Sequence, residues 1–422
     1  MLNNRTSLLL RGFLCGLLLN SVLFVRADEK FPPAAWLRDL KQEAMSAGVS
    51  RQTVNTTLKS ARLLPQVVQM DRGQPEFITP FMDYVAKRVT RQKISQGRDM
   101  LQQHASLLMR IEKRYGVPTS LLVAFWGMET NYGANQGDFA LPSTLMTLAY
   151  DGRRASFFRE QLIDVMRIAE AGHAPVKSLR GSWAGALGHM QFMPSTMLRY
   201  GVDADGNGKI NLKDSLPDAL ASAANYLSRM GWKASEPAMM EVTLPMEFDY
   251  ALAQLTLKKP TAEWSALGVT KVDGSALPEV GQAAILLPQG WQGPALMVFP
   301  NFEVVMDWNR SVNYALSVLH LSNNLLADSE LQGGMVAASE AMSFNQMWAL
   351  QLKLNALGFD CGSPDGFPGL RTQAAIRQYQ ASQQLPQDGY ASPDLLERLL
   401  SDEPGVALSE PASQANSGVA RR

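Results

Sequence analysis

Cysteine is almost missing from this chain. Among 422 residues only Cys15 and Cys361 carry a thiol. Cys15 falls in the leader described below, so the rest of the fold cannot depend on an intramolecular disulfide. Charge of one sign is missing as well. The chain carries 39 basic and 39 acidic side chains, with no clustered basic stretch, which excludes the electrostatic footprint of a nucleic-acid binder. The four histidines, His104, His173, His189 and His320, stand without metal-ligand spacing. There is no GxSxG, no HExxH and no phosphate loop, so serine hydrolases, zincins and P-loop enzymes lack their signatures. Past the leader no run is apolar enough to span a bilayer. Low charge (18%) with 46% hydrophobic residues suits a globular chain of two or three domains with a sizeable core.

What is present begins with a leader. Arg5 and Arg11 precede an apolar stretch from Phe13 to Val25, and Val25-Arg26-Ala27 fits a small-x-small cleavage pattern. This predicts an export signal over 1–27, with Asp28 opening the mature chain. Leu14 before Cys15 is not the small residue that a lipobox wants. Without its three arginines the chain keeps 36 of 39 basic groups against 39 acidic ones, a net charge of about −3.

The most informative residue is Glu129. It lies near the end of LLVAFWGMETNYG, Leu121 to Gly133, which reads as a helix with Pro118 in its first turn and Asn131 and Gly133 as stop signals. Leu122, Phe125 and Trp126 precede Glu129 by seven, four and three residues and share its face. A carboxylate on an apolar face at the negative end of a helix resists ionisation. To serve as a general acid near neutrality, a Glu must climb from about 4.3 to roughly 6–7, or about 3 kcal/mol. The other reading of the spacing is a surface Glu at a fraying helix end.

Three further patterns stand out. Gly181 to Thr196, GSWAGALGHMQFMPST, offers close backbone approach at its glycines, an amide at Gln191 and aromatic faces at Trp183 and Phe192. It reads either as a sugar-binding segment or as a tight turn with core aromatics. Asp203 to Asp214, DADGNGKINLKD, follows the EF-hand loop. Asp203, Asp205 and Asn207 take the first, third and fifth positions, Gly208 the sharp turn, and the Lys209 carbonyl the seventh. Asp214 stands where a bidentate Glu is usual. A structural Ca²⁺ is expected there, and no cofactor for chemistry. The alternative is an Asp/Asn/Gly turn held by its own side chains. Arg153 and Arg154, adjacent, are either solvated surface or a bidentate clamp for a carboxylate.

Along the chain, Pro33 to Tyr115 reads as helices, with Ser50 a candidate N-cap and Ile94, Leu101, Leu108, Ile111 and Tyr115 at helical spacing. Further helices are predicted over Pro217–Met230 and Ser311–Leu326. Short apolar runs punctuated by Pro and Gly, EVTLP, AAILLPQ and ALMVFP, predict a small sheet over about 239–305. A Gly/Ala/Ser stretch over 331–342 reads as a linker. A compact domain is expected over 343–401 and a disordered tail over 402–422.

The ETNYG motif at Glu129, then GSWAGALGHMQFMPS, then the acidic loop, in that order, resemble the B-type lytic murein transglycosylases (glycoside hydrolase family 103), from about Phe31 to Leu326. The resemblance implies a mainly α (α+β) fold, in which a lysozyme-like helical core carries an N-terminal helical part and a small β insertion. It implies cleavage of the β-1,4 bond between N-acetylmuramic acid and N-acetylglucosamine in peptidoglycan. By the same resemblance Glu129 is the catalytic acid, and Arg153, Arg154, Ser182, Gln191, Phe192, Tyr226, Asn309 and Tyr314 line the substrate. Trp308 stands where the family has a Tyr. A second segment, from Ser343 through Gly389, resembles the three-helix peptidoglycan-binding domain in Leu350-Gln351, Leu357-Gly358, Asp365-Gly366, Gly369, Thr372 and Asp388-Gly389. Tyr379 takes a position where Phe is common.

The chemistry this implies uses one Glu twice. It protonates the glycosidic oxygen, then as carboxylate deprotonates the muramoyl 6-hydroxyl, which attacks C1 and leaves a 1,6-anhydro end. No second carboxylate near Glu129 is compelling in the sequence, whereas ordinary glycosidases use two. The alternatives are a muramidase that uses water and a non-catalytic wall-binding protein. The expected partner is the glycan strand, with cell-wall synthesis or division complexes as further candidates. The expected place is the periplasm and the expected state a monomer.

Overall fold

The computed structural model describes residues 31–73, 77–333 and 341–401. The expected leader over 1–27 and tail over 402–422 lie outside the described residues, as does most of the linker. Six helices precede the Glu129 helix: Ala34–Ser46, Arg51–Ser60, Pro65–Arg72, Phe81–Arg88, Arg91–Gln103 and Ala105–Tyr115. Ser50 caps the second, its hydroxyl accepting from the Thr53 N–H at 3.2 Å. The apolar series from Ile94 to Tyr115 is divided at His104 into two helices.

The helix Thr119–Thr130 forms the centre of the core. Ser120 through Met128 are all buried, so it is apolar all round rather than on one face, as a core helix must be. It packs against Val312–Leu326 and Arg91–Gln103. Its end is abrupt. Asn131 and Tyr132 stand at φ 50° and 59°, and Gly133 follows at 89°. Two non-glycine residues in the left-handed region cost free energy and persist only where surroundings over-determine them. Here Tyr132 is held by a reciprocal clamp. Its phenol donates to the Lys93 carbonyl at 2.8 Å, and the Lys93 ammonium donates to the Gly127 carbonyl at 2.7 Å. A cation on the exposed carbonyls of a helix C-terminus also offsets the dipole. The ring lies so close that a Cβ on Gly127 would come within 2.7 Å of it.

Helices Leu141–Asp151 and Ala155–Glu170 form an antiparallel pair beside this core. The β part is a five-stranded antiparallel sheet in the order Lys259–Pro260, Gln282–Leu286, Ala295–Val298, Met239–Thr243, Thr270–Lys271. Met239 pairs Val298, and Ala284 pairs Val298 from the other side. The three runs picked out in the sequence supply its central strands. The sheet ends at Val298, short of 305, because Pro300 begins the helix Pro300–Trp308.

The C-terminal domain is built from helices Phe344–Ala356, Leu370–Ser382 and Pro393–Ser401. Its Asp-Gly motifs answer two buried glutamines. Gln351 donates to Asp365, Phe367 and Thr372 and accepts from the Asp365 and Gly366 N–H groups. Gln380 donates to Asp388 and accepts from Gly389. A buried amide is tolerated when so fully paired. The domain docks on the rest of the chain. Met342–Ser343 pairs with Phe77–Ile78, Arg377 donates to the Ala253 carbonyl at 3.1 Å, and the Trp291 N–H donates to Asp388 at 2.9 Å.

Gly127→Ala should lower stability by about 1–3 kcal/mol, although Ala is the better helix former, because Tyr132 has nowhere to move. Urea unfolding midpoints measure this; an unchanged or higher midpoint would show that the ring is free to shift.

Candidate active site

Glu129 is half-buried at the end of its helix, and both hydrogen bonds to its carboxylate land on one oxygen. The Trp308 indole N–H donates to Oε1 at 2.8 Å, and the Tyr314 phenol donates to the same Oε1. Oε2 receives no bond from a described residue and is not enclosed, so it opens on the cleft. Burial pushes the Glu129 carboxyl above the ordinary range. The Tyr314 and Trp308 bonds and the Arg88 guanidinium hold it back in part. None of the groups acting on its proton is a carboxylate. The Tyr314 hydroxyl is in turn pushed well above its ordinary value by burial and by Glu129.

One segment delivers both donors. Helix Pro300–Trp308 stops where Asn309 turns extended, and Ser311 caps the next helix, accepting from the Tyr314 N–H at 3.3 Å. The Asn309 side chain accepts from the Ser311 N–H at 3.2 Å, which fixes the turn. Trp308, where the family has a Tyr, thus keeps a donor on Glu129 through its indole. Its ring packs on Phe125 with centroids 4.4 Å apart, and on Phe192 and Tyr226 at 5.2 and 5.3 Å. Phe192 is only 3% exposed, so it backs the indole rather than offering an open sugar platform. The Tyr226 hydroxyl donates to the Asp307 carbonyl at 2.9 Å, and burial pushes it to about 12.

The GSWAGALGHMQF segment forms the neighbouring wall. Gln191 sits at φ 46°, and its amide donates to the Gly188 and Gln136 carbonyls at 3.0 and 3.1 Å. Ser182 closes a tight turn, its N–H bonding Ala186 O and its hydroxyl accepting from Ala186 N–H. Ser182, Trp183 and Gln191 line an open groove of about 550 Å³ with residues 133–139 and Lys213. His189 ties this wall to the catalytic helix. Its Nδ1 accepts from the Trp126 indole at 3.0 Å, and its carbonyl accepts from the Thr130 hydroxyl at 2.8 Å.

Arg153 and Arg154 are both held by an acid of the chain itself. Both pair with the buried Asp71 carboxylate, Arg154 at 3.0 Å and Arg153 at 3.6 Å, while Asp151 pairs with Arg72 at 2.6 Å. These ion pairs join helix Pro65–Arg72 to the turn before Ala155. Neither arginine lines the groove. The arginine that acts on Glu129 is Arg88, which also lies over the Tyr84 ring at 5.5 Å. Nothing in the sequence spacing singled it out, because 41 residues separate it from Glu129.

In the acidic loop the structure gathers Asp203, Asp205 and Asp218, with carboxylate oxygens within 4.8 Å of one another. Asp214, expected at the twelfth position, stays outside that group and exposed; its carboxylate accepts from the Asn211 amide. The reason is a turn. The Asn211 side chain accepts from the Lys213 and Asp214 N–H groups, which swings Asp214 away and lets the first turn of helix Leu216–Arg229 present Asp218. Asp218 is fully buried and accepts from the N–H groups of Ala204, Asp205 and Asn211. The donor set, three carboxylates with the Asn207 amide and Lys209 carbonyl of the same loop, is all oxygen and suits a hard divalent cation such as Ca²⁺.

The transglycosylase SLT domain family model matches residues 33–323, and a peptidoglycan binding domain model matches 345–399. The chain is 31% identical over 296 residues to membrane-bound lytic murein transglycosylase B of Escherichia coli K12, covering 65% of this chain and 78% of the relative. Among solved structures it is similar to SltB3 of Pseudomonas aeruginosa in complex with NAG-anhNAM-pentapeptide. That match has a TM-score of 0.84 and 40% identity, over 87% of this chain and 98% of the other. It is also similar to the E. coli lytic transglycosylase Slt35 in complex with calcium, with a TM-score of 0.61 and 29% identity over 70% and 94%. The chain belongs to the transglycosylase SLT domain family, the peptidoglycan-cleaving lytic transglycosylases, and carries a peptidoglycan-binding domain behind its catalytic one.

Proposed function

We propose that this lytic transglycosylase opens the bond between N-acetylmuramic acid and N-acetylglucosamine with Glu129 as its one acid and base. The observation that carries this is the lone carboxylate. Glu129 feels two hydrogen-bond donors and one arginine but no partner carboxylate, so the two-carboxylate arrangement of ordinary glycosidases is lacking. Asp138, the one nearby candidate in sequence, is exposed and paired with Arg180. Burial favours the protonated form of Glu129, and the open Oε2 delivers the proton to the glycosidic oxygen. The carboxylate left behind is steadied on Oε1 by Trp308 and Tyr314 while Oε2 takes the proton of the muramoyl 6-hydroxyl. That hydroxyl attacks C1, the C1–O bond to the departing sugar having broken, and the product ends in a 1,6-anhydro ring. An internal hydroxyl gains orders of magnitude in effective concentration over water if it is positioned. Asn309, Ser182, Gln191 and Tyr226 are assigned that positioning, and Phe192 the support of Trp308. Arg153 and Arg154 brace the fold through Asp71, each keeping a half-exposed face for a substrate carboxylate.

The acidic loop is assigned a Ca²⁺ held by Asp203, Asp205, Asn207, Lys209 and Asp218 as a brace; the ion takes no part in the chemistry. A wall substrate and the leader together assign the protein to the periplasm, as a monomer that binds glycan strands through both domains.

Glu129→Gln should abolish digestion of intact sacculi, and the wild-type muropeptides should weigh one water less than lysozyme products. Ordinary reducing ends in the mass spectrum would make the protein a muramidase instead.

Because the acid form of Glu129 starts the reaction, kcat should fall as pH rises through its elevated pKa. Tyr314→Phe removes a bond that favours the carboxylate, so the falling limb should move to higher pH. A shift to lower pH in the pH–rate profile would contradict the assignment.

Ca²⁺ at a hundredfold excess over its Kd should raise the melting temperature by about 5 °C. Asp203→Ala should remove the rise and Asp214→Ala should keep it. Loss of the rise in both would return Asp214 to the ligand set.

A further inference from the structure

The metal loop does more than brace the fold. Its second half forms part of the groove of about 550 Å³ through Lys213. That side chain is half-buried, and among the described residues no carboxylate lies within ion-pair distance of its ammonium. Asp138, whose carboxyl feels the Lys213 charge, is already paired with Arg180. The backbone under Lys213 is fixed at both ends. The Asn211 side chain accepts from the Lys213 N–H, and the Asn211 N–H donates to Asp218 of the metal cluster at 2.9 Å. On the groove side the Leu212 carbonyl accepts from the His189 N–H at 2.9 Å. A Cβ on Gly188 would stand 2.2 Å from that same carbonyl, so the loop and the groove wall meet without slack.

We propose that Lys213 is a specificity-determining residue that receives a carboxylate of the substrate in this groove, held in place by the cation-binding loop. The inference rests on the peptidoglycan-cleaving reading. The glycan itself is neutral apart from its muramoyl units, whose lactyl arm ends either in a free carboxylate or in a stem peptide bearing carboxylates. Either source presents the same chemistry to an ammonium, and a charge-assisted contact there would strengthen binding without touching the reacting atoms. Among the groove's other lining residues, Phe139 and Trp183 offer apolar faces, Asn135, Gln136 and Gln191 neutral amides, and Asp138 a carboxylate already paired with Arg180; Lys213 is the one cation among the described residues of this lining.

The test is steady-state kinetics of Lys213→Gln and Lys213→Arg on two soluble substrates, glycan strands bearing stem peptides and strands stripped to free lactyl groups by an amidase. Lys213→Gln should raise KM about tenfold with kcat within twofold of wild type, and Lys213→Arg should restore KM to within threefold. A KM effect confined to stripped strands names the free lactyl carboxylate, and an effect on both substrates shows that Lys213 accepts either source. An effect confined to stem-bearing strands names the stem. Unchanged KM on both, or a loss of kcat alone, overturns the proposal. Binding of stem-bearing strands to Glu129→Gln, with and without Lys213→Gln, reads the same contact without catalysis. The proposal thus stands or falls independently of whether the wild-type products carry anhydro ends.

Discussion

The structure is organised around the cost of keeping one carboxylate out of water. Glu129 is surrounded by a helix whose preceding nine residues are all buried, and in such a setting the charged form is penalised. The protein answers this cost only halfway. Two donors meet Oε1, and Oε2 is left open. A fully satisfied carboxylate would be a stable anion and a poor acid. A wholly unsatisfied one would hold its proton too tightly to act next as a base. Loading one oxygen and freeing the other gives a group that can exist in both forms during a turnover.

Much of the surrounding architecture follows from presenting that oxygen. The helix must end one residue later, so Asn131, Tyr132 and Gly133 turn left-handed in succession. The Lys93–Tyr132 clamp and the space left by Gly97 and Gly127, whose added Cβ atoms would collide with the Tyr132 ring, make that conformation affordable. Opposite, the break between Trp308 and Val312 lets one short turn aim an indole and a phenol at the same atom. The His189 carbonyl and Nδ1 fasten the third wall to the helix. Each wall is therefore anchored to the Glu129 helix by hydrogen bonds rather than by apolar packing alone, which restricts sliding where geometry decides rate.

The sequence made the regular parts legible for physical reasons. An apolar run with an Asn and a Gly at its end marked a helix and its stop, and short apolar runs cut by Pro and Gly marked strands. The acidic loop was legible up to Asn211. Beyond that, counting positions failed, since a side-chain turn at Asn211 carries Asp214 outward and hands its place to Asp218 four residues on. Arg153 and Arg154 looked like a clamp for a ligand because nothing local could show that Asp71, some eighty residues earlier, was their partner. Arg88 was invisible for the converse reason: its effect on Glu129 arises from tertiary proximity alone. Trp308 was noticed as a substitution, yet only the fold shows that an indole N–H replaces a phenol without losing a donor.

The docking of the C-terminal domain adds a last constraint. Arg377 reaches the Ala253 carbonyl, Asp388 holds the Trp291 N–H, and a cavity of about 480 Å³ lies between the two parts. That cavity is lined by Arg310, Ser311 and Asn313 as well as by residues of the binding domain. Ser311 is the cap that positions Tyr314. The turn that sets the proton on Glu129 is thus also a wall against the domain that holds the cell wall. Any ligand seated between the domains bears on the same few residues, so binding and proton delivery share a structural element even though they belong to different domains.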